Sequence, residues 1–107
     1  MIRVMVTYKV KAESVAENER LVRAVYEGLA EIGDPDIHYA TVKKHDGQTF
    51  VHLGVFPSRE AQAVLSNSPA FMAFQKDLAD RCEIPPNPEP LELVGSWGLN
   101  LPVPGTL

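Results

Sequence analysis

The sequence predicts an α+β domain in which strands and helices follow the order β-α-β-β-α-β around a four-stranded antiparallel sheet. Three observations predict it. Residues 2–10 alternate, with Ile2, Val4, Val6, Tyr8 and Val10 on one face and Arg3, Met5, Thr7 and Lys9 on the other, which is the two-residue period of a strand. Val15, Val22, Val25, Leu29 and Ile32 then fall on one stripe of a helix. Two further strand-like runs, 37–44 and 49–56, flank His45-Asp46-Gly47-Gln48, where Asp-Gly marks a hairpin.

Each element carries its own start and stop signals. Ser14-Val15-Ala16-Glu17 fits a capping box, in which the Ser hydroxyl and the Glu carboxylate satisfy open N–H groups of a first helical turn. Gly33 suits the helix end, and Asp34-Pro35 blocks continuation. The Asp-Gly turn should place both central residues at positive φ and pair 45 with 48. Position 43 then faces 50, 41 faces 52 and 39 faces 54. One hairpin face carries Ile37, Tyr39, Thr41 and Lys43 with Phe50, His52, Gly54 and Phe56. The other carries His38, Ala40, Val42 and Lys44 with Thr49, Val51, Leu53 and Val55.

Ser58 caps a short helix to about Asn67. Ser68-Pro69 opens a longer one, with Phe71, Phe74, Leu78 and Cys82 near one stripe. Pro85 to Pro90 reads as a connector and residues 91–97 as the last strand. Residues 1–97 thus form one ferredoxin-like domain. Residues 98–107 stand apart, because Pro102 and Pro104 bar a central strand where Leu99, Leu101 and Val103 alternate. They are read either as a frayed tail or as an arm lying on a partner subunit.

The whole chain narrows the function classes. Its 107 residues suit a single domain, and 45% hydrophobic residues indicate a globular one. A net charge of −4, with scattered basic residues, argues against nucleic acid or an anionic membrane as partner. Cys82 is the only cysteine, which excludes an intrachain disulfide and CxxC motifs. No apolar run approaches the roughly twenty residues of a membrane span. The N-terminus enters a strand pattern directly, without a signal peptide, so a cytoplasmic protein is expected. His38, His45 and His52 recur at a spacing that would align on a helix, but on a hairpin they fall on opposite faces and at the turn. No metal site is expected.

Both faces of the sheet are largely apolar, whereas a half-solvated antiparallel sheet shows one polar face. The helices can cover only one side. The other side, with Val42, Val51, Leu53 and Val55, calls for a second copy of the same sheet by two-fold symmetry. A homodimer is expected, of the kind called a dimeric α+β barrel.

The segment FVHLGVFPSREAQAVLSNSPAFMAF, Phe50 to Phe74, together with this order of elements, resembles the antibiotic biosynthesis monooxygenase family. Its members show a strand ending in an aromatic, a short helix, then a Ser-Pro-x-Phe or similar helix start. A weaker likeness extends to the first strand and to Pro86 through Val94. The resemblance implies an active-site cleft between the helices and one sheet face, with the opposite face building the dimer barrel. Relatives include cofactor-independent quinone-forming monooxygenases, haem-degrading enzymes and small-molecule isomerases. The haem-degrading branch places an Asn, a Trp and a His ligand at positions that correspond to Tyr8, Phe56 and Gln75 here. All three differ, and glutamine is a poor iron ligand, so haem degradation is not expected. No bound cofactor is expected either.

The helix-facing side of the sheet would carry Tyr8, Tyr39, Thr41, His52 and Phe56, closed by Phe71, Phe74 and Gln75. That is an aromatic pocket with few polar points, suited to a small apolar or aromatic ligand. His52 is the candidate proton acceptor, since imidazole titrates near neutral pH, with Thr41 across the hairpin to orient it. A His satisfied by Thr41 and chemically idle fits the same pattern. Tyr8 and Tyr39 would hydrogen-bond a substrate oxygen, or simply pack. Trp97 could line the cleft or the core. Three functions remain open: a cofactor-free monooxygenase acting on an aromatic or polyketide-like molecule, a proton-transfer isomerase, and a non-catalytic ligand-binding protein.

Overall fold

The structure, a computed structural model, describes residues 1–99. It contains β1 (Ile2–Val10), a 3-10 turn (Ala12–Ser14), α1 (Val15–Ile32), β2 (His38–Lys43), β3 (Thr49–Phe56), α2 (Arg59–Ser66), α3 (Pro69–Gln75), α4 (Leu78–Arg81) and β4 (Cys82–Pro90). The strands form one antiparallel sheet in the order β2-β3-β1-β4. This is the predicted ferredoxin-like α+β fold.

The core lies between the sheet and the helices. Tyr8 and Val10 from β1 and Phe50 and Phe56 from β3 meet Val22 and Val25 of α1, Leu65 of α2, Phe74 of α3 and Leu78 of α4. Burying each of these side chains contributes roughly 1.5–3 kcal/mol. Among the described residues no helix covers the opposite sheet face, and Val42, Leu53 and Ile84 are 56%, 40% and 57% exposed there. Among the described residues, no helix is long and apolar enough to cross a membrane.

Several local expectations hold. The hairpin register is as read, with Lys43 opposite Phe50, Thr41 opposite His52 and Tyr39 opposite Gly54. Ser58 accepts from the Ala61 N–H and Ser68 from the Phe71 N–H, with Pro69 opening α3. Gly33 closes α1 at φ 65°, donating to the Leu29 carbonyl.

Others are corrected. The capping box at Ser14 does not form. The 3-10 turn runs into α1 and leaves Ser14 near φ −103°, ψ −2°, not in the extended conformation a side-chain cap needs. Glu17 instead binds Arg20. In the hairpin only Gly47 has positive φ. Gly47 donates to the Lys44 carbonyl, Lys44 donates to the Thr49 carbonyl, and the Asp46 carboxylate collects the N–H groups of Gln48 and Thr49. The register survives because the same residues 45–48 make the loop.

The long helix expected after Ser68 breaks at Lys76 and Asp77, the latter at φ 61°. The break frees two carbonyls, and Arg81 takes both: Nη2 donates to Phe74 O at 2.8 Å and Nη1 to Lys76 O at 3.0 Å. The last strand is the proline-rich segment itself, not residues 91–97. An edge strand tolerates proline where the nitrogen faces away from the neighbour. Asn87 and Glu89 pair with Thr7 and Met5, and the Leu91 N–H donates to Arg3 O, so Pro88 and Pro90 fall at the alternate, outward positions. Residues 91–97 form no strand, and Trp97 is 96% exposed, in neither cleft nor core. Of the predicted arm, 98–107, only Gly98 and Leu99 lie among the described residues.

Candidate active site

His52 sits in the middle of β3 and points to the helix side, as alternation along the strand requires. Its ring is 4% exposed. Tyr8 stacks on it at 5.3 Å between centroids, and Phe74 and Tyr39 tilt against it at 5.3 and 5.7 Å. Three strands and one helix therefore enclose one imidazole.

Both ring nitrogens are engaged. Nε2 lies 2.7 Å from the Tyr8 hydroxyl. Nδ1 lies 2.8 Å from the Tyr39 hydroxyl and 3.0 Å from Thr41 Oγ1. The chain continues at each end. Asn18 Nδ2 donates to the Tyr8 oxygen at 2.9 Å, and Arg81 Nε donates to Asn18 Oδ1 at 3.2 Å. At the other end the Tyr26 hydroxyl is 2.7 Å from Thr41 Oγ1. A continuous polar line thus runs from Arg81 to Tyr26 through a hydrophobic interior.

Burial sets the charge states. It pushes the His52 pKa down from 6.5 to about 4, so the ring is neutral at neutral pH. It pushes the hydroxyls of Tyr8, Tyr39 and Tyr26 up, so all three stay protonated. Arg81, 8% exposed, brings the one guanidinium of this line. Two carbonyls, the Asn18 amide and the face of Phe74, 5.7 Å away, hold its charge.

The line reaches the surface at a groove of about 430 Å³ between α1 and β2. Val22 and Phe50 form an apolar floor, Tyr26 and Thr41 are polar points in the wall, and Glu19 and Lys43 pair at the rim. A second cleft, about 540 Å³, is lined by Ile37, Tyr39, Gly54, Leu91, Leu93 and Leu99. Tyr39 therefore borders one opening while Tyr26 and Thr41 border the other.

Of the residues singled out from the sequence, Tyr8, His52, Tyr39 and Thr41 come together in this line. Phe74 packs on it, and Phe71 packs on Phe74 at 5.8 Å. Phe56 is 1% exposed and belongs to the core, its ring filling the space beside Gly54. Gln75 is exposed at the end of α3. His52 touches no open space with its nitrogens and meets the groove through hydroxyls. Asn18, Arg81 and Tyr26 were not anticipated. A signal existed for two of them: Asn18 falls between Val15 and Val22 on the apolar stripe of α1, and Arg81 continues the stripe of Phe74 and Leu78. A polar residue at a core position of a helix implies a buried partner.

No family model matches the chain, and no curated protein sequence matches it. Solved structures do. The chain is similar to an antibiotic biosynthesis monooxygenase at TM-score 0.73 and 16% identity, over 89% of this chain and 100% of the other. It is also similar to a mutant of SnoaB, a cofactor-independent oxygenase from Streptomyces nogalater, at TM-score 0.67 and 13% identity over 91% and 96%. This chain has the antibiotic biosynthesis monooxygenase fold. A conserved protein from Methanosarcina mazei Go1 shares it, at TM-score 0.69 and 16% identity over 84% and 89%. At such identities the likeness lies in the backbone, and the antibiotic biosynthesis monooxygenase fold alone assigns no substrate. The chemistry must be argued from the side chains of this chain.

Proposed function

We propose that the protein is a cofactor-independent monooxygenase acting on a small phenolic, anthrone-like or polyketide-like compound held in the groove between α1 and β2. One observation carries this reading: Thr41 in the groove wall, itself bonded to the Tyr26 hydroxyl, is hydrogen-bonded directly to the buried imidazole of His52. Such a substrate gives up a proton to solvent at the open groove and becomes an electron-rich anion that reduces O2 itself. A ring CH2 plus O2 becomes C=O plus H2O, so the substrate supplies all the electrons. The protein need only orient the anion, shield it and hydrogen-bond its oxygen. Val22 and Phe50 would take the aromatic body, and the Tyr26 and Thr41 hydroxyls the oxygen. His52 orders those hydroxyls, and Tyr8 orders His52.

The protein works as a homodimer in this proposal. Val42, Leu53 and Ile84 on the open sheet face, and Val94 and Trp97 beyond β4, are all exposed apolar groups that a second copy would cover.

The test is oxygen uptake by purified, chelator-treated protein with a dihydroxyanthrone or a dihydroxynaphthalene. The expected result is one O2 consumed per quinone formed, without flavin or metal. Exchange of substrate C–H for solvent deuterium without oxygen uptake would instead support a proton-transfer enzyme using the same hydroxyls. Binding with neither reaction would leave a ligand-binding protein.

A further inference from the structure

We infer that Arg81, acting through Asn18 and Tyr8, holds His52 in the tautomer protonated on Nδ1, so that the groove end of the line donates hydrogen bonds to a substrate oxyanion. The second half rests on the proposed function; the first does not.

The direction of each bond follows from which atoms can donate. A guanidinium has no acceptor, so the Asn18 atom facing Arg81 Nε must be the carbonyl oxygen. The Asn18 amide nitrogen therefore faces Tyr8 and donates to its oxygen at 2.9 Å. Asn18 has 0% exposure, so no solvent competes for these positions. The Tyr8 hydroxyl then has a single use for its own proton, which is donation to His52 Nε2 at 2.7 Å. If Nε2 carried the proton, the Tyr8 oxygen would face two donors, and its own proton would be buried without an acceptor, which is costly. Nε2 is thus the bare nitrogen. The neutral ring keeps its proton on Nδ1, facing the oxygens of Tyr39 and Thr41.

Those oxygens accept from Nδ1 and are left with protons to give away. Thr41 and Tyr26 share one hydrogen bond between two hydroxyls, so one O–H of this pair remains for a ligand in the groove. Such a donor suits a phenolate or enolate oxygen. Arg81 and Asn18 touch no ligand in this scheme; they are positioning residues. The break at Lys76 and Asp77 has a purpose in the same scheme, because the carbonyls it frees anchor the guanidinium that starts the line.

The experiment is 15N NMR of the full chain labelled at histidine, since protonated and bare ring nitrogens have well-separated shifts. The expected wild-type spectrum shows His52 protonated on Nδ1 and bare on Nε2. The reverse pattern overturns the inference. In Asn18→Asp the carboxylate accepts from both Arg81 and Tyr8, which releases the Tyr8 oxygen to accept from Nε2. The proton should then move to Nε2. A folded Asn18→Asp protein that keeps Nδ1 protonated also overturns the inference. Should Asn18→Asp fail to fold, the wild-type spectrum still decides. These readings need no substrate, so failure of the oxygenase proposal and failure of the relay are separately visible.

Discussion

The hydroxyl of Tyr8 lies 2.7 Å from Nε2 of His52, and neither residue is more than 4% exposed. Tyr8 stands on β1 and His52 on the adjacent β3, offset along the shared ladder. That single bond joins two halves of a polar line. One half leads to Arg81 beyond the broken helix, the other to the hydroxyls at the groove between α1 and β2.

His52→Ala should lower turnover by about a hundredfold, the loss expected when an ordered hydrogen-bonding array is dismantled. It should also cost roughly 1–3 kcal/mol of stability, because the Tyr8 hydroxyl loses its acceptor in a dry site. Oxygen uptake and urea denaturation measure the two effects. Turnover within a few-fold of the parent would remove His52 from the chemistry.

His52 also makes stability depend on pH. Its folded pKa, about 4, lies below its ordinary 6.5. Between these values the unfolded chain binds a proton that the folded protein refuses, so stability falls as pH drops from 6.5 towards 4 and is fully present above 6.5. The loss is roughly 3 kcal/mol when complete. Denaturant melts at pH 7 and at pH 4.5 should show it, and the difference should shrink in His52→Ala. An equal difference in both proteins would place the sensitivity elsewhere.

Gly54→Ala should destabilise the protein by about 1–3 kcal/mol, as overpacking does. A Cβ there would lie 2.7 Å from Phe56 Cε2 and 3.4 Å from Tyr39 Cδ1. Phe56 is buried and cannot swing out, so the strain should also reach Tyr39 and its bond to His52. Thermal denaturation gives the cost. An unchanged melting temperature would mean that the strands spread apart freely.

If the proposed homodimer pairs through the open sheet face, Leu53→Glu should convert it into monomers or unfold the protein. Leu53 lies on the open sheet face, and a charge there would be buried without a partner on association. Light scattering after gel filtration reads the mass. A stable dimer carrying Leu53→Glu would move the interface to another surface.

Much of the fold was legible because it rests on local chemistry. Alternation along β1 and across the hairpin determines which side chains share a face, and the loop at 45–48 determines the register that sets Thr41 against His52. The hydroxyls of Ser58 and Ser68 mark helix starts wherever they stand. The four prolines of β4 misled, because their tolerance depends on lying at the sheet edge, and edge position is a property of the assembled sheet. The helix break was equally hidden: Asp77 takes a positive φ, and the carbonyls freed there bind Arg81, a contact that only the assembled fold brings about.

By itself, then, the sequence determined the element order, the two faces of the hairpin and the gathering of Tyr8, Tyr39, Thr41 and His52 on the helix side. Those follow from periodicity and short-range turns. Only the tertiary structure decided that Asn18 and Arg81, 63 positions apart, meet behind Tyr8. It also decided that Tyr26 of α1 reaches Thr41 of β2. Such contacts depend on how helices settle across a twisted sheet, and each buried polar atom then takes the partner that packing brings within reach.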